Sequence, residues 1–297
     1  MTVAIDMTYV AYYGERDEIE LVTGSAPSSK DYDYCHKYGT VSVVGENVRF
    51  ILGLVPVDEG SEDNDTEVNE KPPQFLETTT DEEAEDAPVK GTVVRELLEI
   101  ASKYVRMSTV YADAEFAACD VVAACEEHEV DYVIPKPKTP TVKRFIKRMN
   151  NDVAVKQNYA MYGHVRGNPT NTQVETNLVA VPSSKTEGKT VAFITNKNVN
   201  DEIQLDRDET QVVIDRYNRR WGAGVSYRSL KDFLAWTTSK EYPVRLFHFS
   251  FAVVMYDCWK LTDFTVQLEM DCGLRYKPRV KAKRFLHIAL DALRPGS

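Results

Sequence analysis

Two acids stand where neither is an obvious turn residue. Asp6 is embedded in the β-branched and aromatic run TVAIDMTYVAYY, and Asp113 ends the short apolar run STVYAD. Two-metal phosphoryl transfer needs carboxylates from separate chain segments that converge on Mg²⁺ ions about 4 Å apart, activating a nucleophile and stabilising the leaving oxygen. Strand ends and one helix face suit that task. A lone strand-end Asp is more often a turn former, so the pair gains weight only from a third segment. Tyr217, Arg220, Gly224 and Lys231 are offset by 0, 3, 7 and 14 positions. At about 100° per residue they fall within roughly 60° of one helix face.

That spacing carries a resemblance. The segment YNRRWGAGVSYRSLK resembles the third catalytic segment of a large subgroup of DDE-type insertion-sequence transposases, which carry Tyr, two residues, Arg, three residues, Glu, six residues, Lys. AIDMTYVAYYG is similar to the subgroup's first-Asp strand and YADAEF to its second, the three segments occur in the expected order, and the chain resembles haloarchaeal members. The resemblance implies a ribonuclease H-like α/β fold, a mixed sheet flanked by helices with a β-rich insertion before the last catalytic helix. It implies Asp6 and Asp113 as catalytic, metal-holding acids, with Mg²⁺ or Mn²⁺ as cofactor. Tyr217, Arg220, Arg228 and Lys231 would serve phosphate and DNA binding. The partners implied are element-end and target DNA, with a homodimer as candidate assembly.

The sequence departs from the subgroup in two places. Ala114 stands in DAEF where the subgroup commonly reads Asp-Arg-Glu-Phe, and Gly224 stands where the third acid belongs. Glycine has no side chain to offer a cation, and Gly222 and Gly224 would each cost a helix about 1 kcal/mol relative to alanine. Asp232 lies about 80° around the helix from Gly224, and Asp215 faces elsewhere, so neither is a convincing substitute. Strand cleavage is therefore expected to be impaired or absent. The alternative is a non-catalytic DNA-binding or partner-binding remnant. Only five residues precede Asp6, whereas full-length relatives place a DNA-end recognition region before this strand, so an N-terminal truncation is expected.

The elements that must position these residues follow from periodicity. Residues 2–13 read as a strand, and two β-rich runs from Thr40 to Val57 around Gly45, Glu46 and Asn47 read as a hairpin. Val93, Val94, Leu97, Leu98, Ile100, Ala101 and Tyr104 recur at helical spacing before STVYAD. A second helix, near 117–128, precedes the strand DYVIP. Residues 1–135 thus form the first part of the core, 136–205 the β-rich insertion, 206–265 the last part of the core with an apolar helix from 241, and 266–297 a basic tail.

Charge is unevenly placed. Residues 58–87 hold thirteen acids against Lys71, a local −12 that leaves the rest of the chain, at −10 overall, about +2. This acidic segment, poor in core-forming residues and carrying Pro72 and Pro73, reads as a mobile loop. With the low pI it hints at a halophilic source, a hint that the near-neutral remainder weakens. Segments 136–148 and 275–284 each hold six basic residues and no acid, which suits a phosphate backbone.

The exclusions are equally plain. Five cysteines (Cys35, Cys119, Cys125, Cys258, Cys272) form no CxxC pair, which fits free thiols in the cytoplasm. The five histidines show no HEXXH spacing, and no P-loop or dinucleotide-type glycine pattern occurs. No signal peptide or membrane span is expected.

Overall fold

A computed structural model describes residues 1–15, 18–22, 32–45, 49–58, 89–147, 154–165, 168–183, 189–197, 229–270 and 277–294. The first three strands, β1 (Thr2–Tyr12), β2 (Tyr34–Val44) and β3 (Arg49–Val57), form an antiparallel meander. Helix α1 (Val89–Ser102) leads to β4 (Thr109–Tyr111), and α2 (Cys119–Glu127) leads to β5 (Asp131–Pro135). β4 lies parallel to both β1 and β5. β5 reads DYVIP with no polar alternation, as befits a central strand covered on both faces.

After α3 (Pro140–Lys147) come β6 (Ala154–Val165), β7 (Asn168–Pro182) and β8 (Thr190–Thr195). These strands continue the same sheet, because β8 pairs antiparallel with β5 and β7 with β8. The described order is β3-β2-β1-β4-β5-β8-β7-β6. The architecture is therefore the mixed, helix-flanked α/β sheet that the sequence implies.

Helix α1 packs against the meander where the strands carry no side chain. A Cβ on Gly39 would lie 2.6 Å from Val93 Cγ1, and one on Gly53 would collide with Ile100. The two glycines let α1 descend far enough to bury Val93, Val94, Leu97, Leu98 and Ala101, the valines and leucines contributing on the order of 2 kcal/mol each. Tyr104, expected to continue that stripe, is 69% exposed because α1 ends at Ser102.

On the other face runs α4 (Tyr242–Glu269), started by Pro243 in its first turn. The basic C-terminal stretch is partly helical. α5 (Ala282–Leu293) packs Phe285 and Leu286 toward α4, and Asp263 accepts the amides of Arg279 and Val280 at 2.6 and 2.8 Å to hold the approach to it. Among the described residues no helix is long and apolar enough to cross a membrane.

Candidate active site

The parallel ladder of β1 and β4 pairs Thr2 with Thr109, Val3 with Val110 and Ala4 with Tyr111. Continued by two residues, that register sets Asp113 level with Asp6 on neighbouring chains roughly 4.8 Å apart. Asp113 keeps an extended backbone, φ −78° and ψ 168°, before the 3₁₀ turn Ala114–Phe116. Alternation then fixes the direction of both side chains. Ile5 and Ala112 belong to the cluster under α1 and α2, whereas Ala4 and Tyr111 belong to a cluster on the opposite side. Asp6 and Asp113 therefore share that opposite face.

Each carboxylate is oriented by the next amide in its own chain. Met7 N–H donates to Asp6 Oδ1 at 3.0 Å, and Ala114 N–H donates to Asp113 Oδ1 at 2.6 Å. Behind Asp6, the Thr40 hydroxyl of β2 donates to its backbone oxygen at 3.3 Å, tying the middle of β1 to its neighbour.

The short turn that carries Lys231 packs on the same side of the sheet. It is seated by Leu230 and Phe233, which are buried with Tyr38, Phe249, Tyr256 and Trp259. Tyr38 pairs with Thr8, two residues beyond Asp6 and on its face, and stacks on Phe249 of α4 at 4.3 Å between ring centroids. Lys231 is itself exposed. Tyr217, Arg220, Gly224 and Arg228, with most of the helix expected from about Asp208 to Thr237, lie outside the described residues.

Glu115 is turned away from the pair. β4 ends at Tyr111, so Glu115 does not continue the strand; its Oε2 accepts from Tyr9 Oη at 3.4 Å. Alternation along β1 puts Tyr9 on the face of Ile5 and Met7, opposite Asp6. The pair is an oxygen-only donor set of the kind that Mg²⁺ and Mn²⁺ accept. Among the described residues no group of three or more His, Cys, Asp or Glu could hold a metal ion.

Three groups that periodicity did not single out carry buried polarity. Asp257 of α4 accepts Ile51 N–H of β3 at 3.0 Å, at the irregularity where Ser42 pairs with Ile51 and Val41 with Gly53. Burial pushes its carboxyl up to about 7, against the pull of that amide. His36 on β2 is buried beside Tyr12 and Tyr242, with Nδ1 3.0 Å from the Leu21 carbonyl, and burial holds it down to about 4. Lys136 begins the first basic segment yet is turned inward, where its Nζ donates to the Ala117 carbonyl at 2.9 Å and burial lowers its pKa. Lys138, Lys143, Arg144 and Lys147 of that segment are exposed. A polar side chain met by a partner 20 or 200 residues away leaves no periodic trace.

The family described as Transposase DDE domain matches residues 76–256, more than half of the chain and including Asp113, the Gly224 position and Lys231. A cryo-EM structure of the piggyBac transposase synaptic complex with hairpin DNA is similar in fold, with a TM-score of 0.58 at 11% identity. That likeness covers 98% of this chain and 52% of the other, so the chain spans about half the length of the transposase it matches. No curated protein matches the sequence. The chain belongs to the DDE transposase domain family.

Proposed function

We propose that this protein acts on DNA at the face carrying Asp6 and Asp113, where a transposase would cut element ends and transfer the resulting 3′ hydroxyl to target DNA, and that this chemistry is impaired by Gly224. The observation that supports the reading is the parallel pairing of β1 and β4, which runs up to Ala4 and Tyr111, two residues before Asp6 and Asp113. Asp6 and Asp113 would hold Mg²⁺ or Mn²⁺, which supplies charge neutralisation at the scissile phosphate. Lys231, which is exposed, would position a phosphate oxygen together with Tyr217, Arg220 and Arg228. Outside that face, Lys138, Lys143, Arg144 and Lys147 of α3 and its approach offer a track for the DNA backbone.

The test is cleavage of terminal-repeat DNA with Mg²⁺ or Mn²⁺. Weak or no cleavage by the unmodified chain is expected, with a gain in Gly224→Glu. Robust cleavage by the unmodified chain would overturn the impairment. Gly224, unable to ligate, also favours a second reading, a remnant that binds DNA without cutting it. Salt-dependent DNA binding that Gly224→Glu leaves without cleavage would select that reading.

A further inference from the structure

The turn that follows Asp113 is held by two lysines from distant elements. Of the carbonyls from Asp113 to Ala118, four are met by amides close by in sequence. Phe116 N–H donates to Asp113 O at 3.0 Å, Ala117 N–H to Ala114 O at 3.2 Å, Ala118 N–H to Phe116 O at 2.8 Å and Val122 N–H to Ala118 O at 3.2 Å. The other two are met by side chains: Lys90 Nζ donates to Glu115 O and Lys136 Nζ to Ala117 O, each at 2.9 Å. Every carbonyl of the turn thus has a donor, and both outside donors are ammonium groups. A three-residue 3₁₀ turn has weak hydrogen-bond geometry of its own, so these outside donors decide how firmly it is set.

Each lysine arrives from an element that is itself fastened. Lys90 lies in the first turn of α1, where the next amide, Gly91 N–H, donates to Asp120 Oδ2 of α2 at 2.6 Å. Lys136 follows β5 directly, and its own N–H donates to Ala192 O of β8 at 2.8 Å. The turn is therefore gripped from α1 on one side and from the sheet on the other. Among the described residues neither ammonium has a carboxylate partner. Lys136 is half-buried, giving up hydration that an ammonium keeps on an open surface, and a lysine that merely capped an exposed turn would not need that placement.

We propose that Lys90 and Lys136 are positioning residues, whose ammonium groups fix the 114–117 turn and through it the direction of the Asp113 carboxylate. The link is short. Asp113 Oδ1 accepts Ala114 N–H at 2.6 Å and Asp113 O accepts Phe116 N–H at 3.0 Å, so a shift of the turn swings the carboxylate with it. Outer groups that orient a ligating side chain govern metal affinity through it. The consequence for a metal rests on the proposed function, in which Asp113 holds one; the grip on the turn does not.

The first measurement needs neither metal nor DNA. Amide hydrogen exchange of the full chain should be about tenfold faster at Ala114 and at 116–118 in Lys136→Met and in Lys90→Met, with the buried amides of α1 unchanged. Lys103→Met, exposed beyond the end of α1, should match the unmodified chain. The thermal midpoint should not fall in Lys136→Met, which removes a half-buried charge, whereas a general structural role would lower it. The second measurement is Mn²⁺ affinity by electron paramagnetic resonance in the Gly224→Glu chain, expected to drop about tenfold in Lys136→Met and to be largely kept in Lys136→Arg, which retains a cationic donor. Asp113→Asn in that chain checks the proposed function separately: unchanged affinity would remove Asp113 from the metal and leave the grip to be decided by exchange alone. Unchanged exchange across 114–118 in both lysine variants, or Mn²⁺ affinity that Asp113→Asn lowers and Lys136→Met does not, would overturn the proposal. Should Lys136→Met fail to fold, Lys90→Met, at the exposed contact, carries both measurements.

Discussion

Under α1 and α2, residues from all three meander strands, both parallel strands and the β6–β8 extension join with both helices in one continuous apolar cluster. The opposite face is divided. One cluster, Ala4, Tyr111, Val133, Val179, Val181 and Phe193, consists of strand residues, and a second gathers Tyr38, Ile51 and Leu230 with α4. Asp6 sits between them, two residues past Ala4 and four before Val10, with Asp113 level beside it. The first face contributes stability through unbroken burial. The second interrupts its apolar surface at Asp6, and a break of that kind contributes less to stability.

The largest expected effect would break this contrast at the acids. In a Gly224→Glu background that cleaves DNA, Asp6→Asn or Asp113→Asn should lower the rate on the order of a thousandfold, since a metal carboxylate supplies several kcal/mol. Neither substitution should lower the unfolding temperature, and relief of repulsion between neighbouring carboxylates should hold or raise it. A marked fall in stability for Asp6→Asn would show that the pair is structural.

Next comes the continuous face. Leu97→Ala should destabilise by about 2–5 kcal/mol in denaturant unfolding, because Leu97 is fully buried where α1 meets Gly39. A smaller loss would mean that the cluster relaxes around the cavity.

Asp257 sharpens the comparison through pH. Its carboxyl is raised to about 7, so between the ordinary carboxylate range and 7 the folded chain holds a proton that the unfolded chain has lost. Its contribution is complete at low pH and is lost as pH rises through 7. Asp257→Asn keeps an oxygen for Ile51 N–H and should be more stable than the unmodified protein at pH 8, by about 1 kcal/mol or more, with the difference vanishing near pH 4. His36 acts in the opposite direction. Held down to about 4, it favours folding above its ordinary range and loses that contribution as pH falls. Thermal unfolding across pH 4–8 of Asp257→Asn and His36→Asn should therefore show opposite changes of slope.

The smallest effect concerns the basic segment. Replacing Lys143 and Arg144 by Ala should reduce the salt dependence of DNA binding by about one counterion per lost phosphate contact. Lys136→Met should leave that slope unchanged, because Lys136 serves the Ala117 carbonyl. An equal loss from Lys136→Met would reassign it to the surface.

Much of the fold was legible because it is local. β1, the β2–β3 hairpin, α1 and β5 follow from alternation, turn composition and helical spacing within a few residues of one another. Asp6 and Asp113 could be named for the same reason, as acids embedded in or ending apolar runs. The extension of the sheet through β8 was not legible: pairing of Val133 with Thr195 joins positions far apart in sequence, and short β runs do not specify their neighbours. The polar groups Asp257, His36 and Lys136 were hidden likewise, since burial and a distant partner, not a pattern, give them their roles.

The sequence by itself supplied the residues of the proposed site, Asp6, Asp113 and the Tyr217, Arg220, Lys231 spacing with Gly224 within it, because residue chemistry and spacing are properties of the chain. Only the tertiary structure decided that β1 and β4 pair in parallel up to two residues before Asp6 and Asp113, and that Glu115 meets Tyr9. Strand register converts a separation of more than a hundred residues into a single interstrand spacing, and one step along a strand reverses the direction of a side chain.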